Sequence, residues 1–128
     1  MIFRAFVLAM MPMAAFAQDC DNAVTQMDMN QCAGQDLERA DEALNTAWTD
    51  AMAAMRRIDD NLPADQQGAA QALRDAQRAW ITVRDKGCAA ESWANYGGSI
   101  RPLVELNCKT AATEARTEVL RALATPDQ

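Results

Sequence analysis

Histidine is absent from the 128-residue chain. Without it there is no His-based triad, no histidine general base near neutral pH and no imidazole metal ligand. No Cys-x-x-Cys pair occurs either, so the usual thiolate half of a zinc site is missing. No stretch alternates apolar and polar residues as a strand does, and there is no internal repeat or low-complexity tract, which turns the reading away from sheets and repeat arrays. Long apolar runs are also lacking. The one at the N-terminus, residues 5–11, is too short to span a bilayer core of about 30 Å.

That short run follows Arg4 and precedes Ala15-Phe16-Ala17, a small-x-small cleavage pattern, so residues 1–17 read as a secretory signal peptide. Cys20 is preceded by Ala17-Gln18-Asp19 and lacks the small residues that a lipid-modified cysteine requires. The expected mature domain is 18–128, exported to the periplasm or the medium, with no stable membrane insertion after cleavage. Its size suits one domain with a modest core.

Removing Arg4 leaves 11 basic against 18 acidic side chains, a net charge near −7. Such a surface repels nucleic acid and anionic membranes and suits a cationic partner, although acidity also simply keeps an exported protein soluble. Four cysteines remain in the mature chain. An even count in an exported domain of this size reads as two disulfides among Cys20, Cys32, Cys88 and Cys108, with three pairings open.

Helical periodicity organises the rest. Thr25 and Asp28 form a capping-box pattern, and Leu37, Ala40, Leu44, Ala47, Trp48, Ala51 and Met55 make an apolar stripe reaching about Ile58. Gly34 is a point where this first helix could bend or stop. Residues 59–63 make a turn, and a second helix is expected from about Pro63 to about Ser92, with Ala69, Leu73, Ala76, Trp80, Val83 and Gly87 on its inner face. Asn95, Tyr96, Gly97 and Gly98 mark a loop. Ser99 is the expected cap of a third helix, with Pro102 in its first turn, an inner stripe of Val104, Cys108, Ala111, Ala115, Val119 and Ala122, and a stop before Pro126. The fold class that follows is all-α: a small antiparallel bundle of three main helices with two disulfides.

The stretch 77–88 puts Trp80, Arg84 and Cys88 at one-turn steps, combining a packing ring, a charge and a covalent tether. Asp41 and Asn45 on the first helix stand about as far from the interhelical turn as Arg84 and Asp85 on the second. These four are expected to form a structural polar core, with Arg84 as the fork between helices; the alternative is a polar cluster presented to a partner. Glu38 and Asp41 are paired carboxylates of the sort a hydrolase uses, but such spacing on a helix ordinarily marks its solvated face. Met27 and Met29 beside Cys32 are soft ligands on paper and ordinary filler in practice. No catalytic residue, cofactor site or metal site is therefore assigned, and the chain is not read as an enzyme.

Together, Cys20 with Cys32, Ala40-Asp41 with Leu44-Asn45, the Gln77-x-x-Trp80-x-x-x-Arg84-Asp85-x-x-Cys88 core, Gly97-Gly98-Ser99, and Cys108 with Thr113, Arg116 and Leu120 resemble the lysozyme inhibitor LprI-like family. The likeness covers nearly all of the mature chain, and Trp48 stands where that family more often has tyrosine. It implies a small helical, disulfide-stabilised protein outside the cytoplasm. It also implies a protein partner, a lysozyme-type cell-wall hydrolase, and the acidic charge of this chain suits a cationic one. Inhibition would need a protruding loop to fill a cleft, and the best candidate in the sequence is the stretch with Trp93, Tyr96, Gly97, Gly98 and Ser99, its two rings as anchors; the alternative is that both rings pack on the end of the bundle. The competing expectation is a structural or envelope-interaction module that binds another periplasmic protein or peptidoglycan without inhibiting anything.

Overall fold

In a computed structural model, which describes residues 19–125, three helices account for most of the described residues: α1 (Gln26–Asp60), α2 (Ala69–Ser92) and α3 (Arg101–Ala124). Single 3-10 turns at Cys20–Asn22, Ala64–Gln66 and Trp93–Asn95 lie before and between them. The expected signal peptide, residues 1–17, lies outside the described residues. Among the described residues there is no strand, and no helix is long and apolar enough to cross a membrane.

Helix α1 starts where the capping box places it. The Thr25 hydroxyl accepts from the Asp28 amide at 3.0 Å, while the Asp28 carboxylate accepts from the Thr25 amide at 3.3 Å. The helix then runs unbroken through Gly34, which corrects the expected interruption there. A mid-helix glycine costs only about 1 kcal/mol, and burial of the flanking Ala33 and Ala40 turns outweighs it.

The turn into α2 also departs from expectation. Pro63 begins a 3-10 turn, not α2, and the helix starts at Ala69. Its N-terminus has no cap from its own flanking residue; instead the Asp59 carboxylate, from the last turn of α1, accepts from the amides of Gly68, Ala69 and Ala70 at 2.8, 2.8 and 3.0 Å. Three free N–H groups and the positive end of the helix dipole thus converge on one anion. These bonds hold the Asp59 carboxyl below its usual pKa. A depressed pKa gives stability that is present above the unfolded value of about 3.9 and is lost as pH falls through the folded value. Asp59→Asn should therefore melt lower than the parent at neutral pH, and the gap should close as pH falls below about 4. Thermal melts of both proteins across that range check it; a gap independent of pH would show that the charge is irrelevant.

The core joins Leu44, Ala47, Ala51 and Met52 of α1, Ala70 and Leu73 of α2, and Leu120 of α3, with Trp48, Met55, Trp80 and Leu123 packed around them. Alanine along α1 lets α3 lie close to it over a long stretch, as small side chains allow. Two of the expected inner faces hold only in part: Leu73 is buried and Ala69, Trp80, Val104 and Cys108 are half-buried as expected, but the other members are not. On α2, Ala76, Val83 and Gly87 are exposed, and the inward positions are Ala70, Leu73 and Cys88, with Gln77, Trp80 and Arg84 half-buried. On α3, Ala111, Ala115, Val119 and Ala122 face out, while Thr113, Thr117 and Leu120 are buried. Polar side chains occupy these stripes because each finds a partner: Arg84 donates to Thr113 at 3.1 Å, and the Thr117 hydroxyl donates to the Thr113 carbonyl at 2.9 Å.

Both disulfides are formed. Cys20 joins Cys32 and Cys88 joins Cys108, so one bridge ties the N-terminal segment to α1 and the other clamps α2 to α3. Ser99 does not cap α3. The residue at the cap is Ile100, without a side-chain bond, and the Ser99 carbonyl instead accepts from Asn30 Nδ2 of α1 at 3.2 Å. Pro102 does lie in the first turn, where its missing N–H is no loss.

Candidate functional site

Two constellations carry chemistry. The first is centred on Arg84, whose side chain is 13% exposed. Its Nε donates to Asp85 at 2.9 Å, and its Nη1 donates to Asp41 of α1 and Thr113 of α3, each at 3.1 Å. One guanidinium therefore reaches all three helices, with the Trp80 ring 5.0 Å from its carbon. The fork is shared between two carboxylates and a hydroxyl, not spent on one carboxylate. Asn45 takes no part: its side chain is exposed and makes no hydrogen bond among the described residues, although its carbonyl accepts from the Thr49 hydroxyl.

Trp80 is flanked by a second cation. The Arg116 guanidinium lies 5.9 Å from the ring and its Nε donates to Gln77 Oε1 at 2.9 Å. Burial lowers the Arg116 pKa from the usual arginine value, and its Nη2 is enclosed with no hydrogen-bond partner among the described residues. Thr113, Gln77 and Arg116 escaped assignment to the polar core from sequence. Thr113 and Arg116 are one turn apart on α3, but nothing in their local pattern says that they face α2.

Beside this network, Asp41, Leu44, Asn45 and Trp48 of α1 and Gln77, Trp80, Ile81 and Arg84 of α2 line a groove of about 370 Å³. A second groove, about 470 Å³, runs between α1 and α3, with alanine and threonine at its base and Asp36, Arg39, Glu114, Glu118 and Arg121 on its rims. Among the described residues no group of three acidic or cysteine side chains is placed to hold a metal ion.

The second constellation is the α2–α3 connection. Trp93 and Tyr96 are 57% and 70% exposed, and their rings stack on each other with centroids 4.8 Å apart and planes within 9°. Arg101, from the first turn of α3, lies 4.6 Å from the Trp93 centroid and 5.6 Å from that of Tyr96. Its Nε donates to the buried Ser92 hydroxyl at 3.1 Å, so the cation that braces the rings is itself fixed to the end of α2. Gly97 adopts φ +79°, a backbone shape suited to glycine. A Cβ on Gly98 would come 3.2 Å from the Asn95 carbonyl oxygen. The loop is thus a tight turn presenting a preformed aromatic pair, with Ser99 turned to its contact with Asn30. Arg101 is the member that sequence reading missed, because a single arginine at a helix start carries no signal of what it covers.

Val24, just before α1, Met27 in its first turn, and Ile100 are also exposed, and Asn30 of α1 meets Ser99 of the connection. Comparison with known proteins gives two findings. A family model described as lysozyme inhibitor LprI matches residues 18–120. An uncharacterised protein from Rhizobium meliloti strain 1021 is 42% identical over 108 residues, covering 82% of this chain and 78% of that protein. No solved structure matches.

Proposed function

Since the chain belongs to the lysozyme inhibitor LprI family, we propose that it is an exported binding protein that blocks a cationic, lysozyme-type cell-wall hydrolase. Residues 1–17 direct export to the periplasm or medium, and the mature chain starts at Gln18. The contact is made by the loop that carries Trp93, Tyr96, Gly97, Gly98 and Ser99. The observation that carries this reading is the exposed Trp93–Tyr96 stack, braced by Arg101. Large rings held rigid before binding lose little entropy on docking and are the usual anchors of an interface. The acidic surface adds long-range attraction to a basic enzyme, while Asp41, Arg84 and Asp85 serve the packing of the helices.

Lysozyme activity on cell walls, measured with excess folded parent, Trp93→Ala and Tyr96→Ala at low and high salt, tests this. Each substitution should weaken inhibition about 30-fold, a hot spot of ~2 kcal/mol. Rising salt should slow association of all three alike, as the Debye length shortens to about 8 Å near 0.15 M. Inhibition that ignores both substitutions moves the site off this loop. Undiminished enzyme activity under every condition favours the envelope-interaction module instead.

A further inference from the structure

Arg101 braces the Trp93–Tyr96 stack with most of its own donors unspent. Its Nε donates to the Ser92 hydroxyl at 3.1 Å, while Nη1 and Nη2 have no acceptor among the described residues. Neither is an enclosed, unsatisfied atom, so both reach solvent. No carboxylate among the described residues pairs with this half-buried side chain. Arg84 and Arg116 differ: the first is matched by Asp41 and Asp85, and the second has Nη2 shut in. Arg101 is also the first residue of α3, where the helix dipole is positive, the first turn holds no acidic residue and Ile100 supplies no side-chain cap. A cation at that end of a helix is disfavoured unless an anion meets it. In a chain that is acidic as a whole, the aromatic loop is thus a local positive spot.

A guanidinium lying over a ring keeps its N–H groups in its own plane, and Nη1 with Nη2 make the two-pronged edge that a carboxylate matches. Glycoside hydrolases ordinarily hold a pair of Asp or Glu carboxyl groups about the scissile bond. A basic enzyme with an acidic cleft is the complement of an acidic chain with a cation at its aromatic loop. Resting on the reading of this loop as the partner contact, we infer that Arg101 donates Nη1 and Nη2 to one of the two catalytic carboxylates of the hydrolase. The Trp93–Tyr96 stack closes over that pair. Exclusion of water by the rings strengthens the ion pair, and Arg101, already fixed by Ser92 and by the rings 4.6 and 5.6 Å away, loses little freedom in forming it.

The test is a double-mutant cycle on affinity, measured by calorimetry with a purified lysozyme and with its two variants in which one or the other catalytic carboxylate is replaced by the amide. Against the unaltered enzyme, Arg101→Gln should bind about 30-fold more weakly than the parent, and Arg101→Lys, which keeps the charge without the fork, about tenfold. Against the enzyme variant that lacks the contacted carboxylate, Arg101→Gln and the parent should bind within about threefold of each other. A loss of the same size against all three enzymes would make Arg101 a brace for the rings and nothing more, and an Arg101→Gln that matches the parent against all three would also overturn the contact. In either case a Trp93→Ala that still weakens binding keeps the loop as the interface. A parent that binds none of the three enzymes would overturn the proposed function itself, and this contact with it.

Discussion

Replacing Cys88 and Cys108 together by alanine should lower the unfolding free energy by about 3 kcal/mol, the loop-closure value for a bridge across some 20 residues. That is a large loss for this core. The fully buried large side chains are few, and α1 contributes Ala33, Ala40, Ala47, Ala51 and Ala54 to the interior. Alanine buries little area at about 25 cal/mol/Å², so α2, which packs less extensively on its neighbours than α1 and α3 do on each other, depends on its tether. Net stabilities of small domains are only about 5–15 kcal/mol, and the variant should be partly unfolded at temperatures the parent tolerates. Removing Cys20 and Cys32 should act more locally, because the segment before Thr25 contributes no buried residue and can detach alone. Denaturant midpoints of both pairs check this. A Cys88/Cys108 variant as stable as the parent, or four free thiols in the natively folded protein, would overturn the view that the bridges hold the bundle.

Arg84→Lys should cost about 2 kcal/mol, far more than a typical exposed Arg→Lys change, which is usually within ~0.5 kcal/mol. Lysine keeps the charge but has no planar fork, so it cannot serve Asp41, Asp85 and the buried Thr113 from one position. Asp41 and Asp85 are 44% and 47% exposed and can return to water, but the Thr113 hydroxyl is fully buried and loses its donor. Unsatisfied burial is therefore the larger part of the loss. The measurement is the urea midpoint at constant m-value. A variant that unfolds with the parent yet no longer binds its target would put Arg84 in a surface site and not in the packing of the helices.

The order of elements was legible because its signals are local. Thr25 with Asp28 marks the start of α1, Pro102 lies in the first turn of α3, and the heptad-like recurrence of Leu44, Ala47 and Ala51 marks a buried face. Two disulfides followed from four cysteines in a chain without histidine or Cys-x-x-Cys. The juxtaposition of Asp41 and Arg84 followed from equal distances to one turn, which fixes the register of an antiparallel helix pair to within about a turn. The connection 93–99 was legible as a loop from its glycines; that its rings would stack outward under Arg101 was not.

What the sequence determined by itself is thus the helical class, the number of helices, their approximate ends and the presence of covalent staples, all properties set by interactions within a few residues or by composition. Which side of α2 and α3 faces inward was decided only in the tertiary structure. On α3 alanine and threonine are spread around the helix, so no stripe is apolar enough to choose the face by burial alone, and on α2 the inward side carries Gln77 and Arg84 among its apolar residues. The choice falls to long-range partners: Arg84 needs Thr113 and Asp41, Gln77 needs Arg116, and Cys88 needs Cys108. Meeting them turns Val83 and Val119 outward and two threonines inward, because a buried polar group left without a partner costs about 1–3 kcal/mol, as much as the burial of a valine gains.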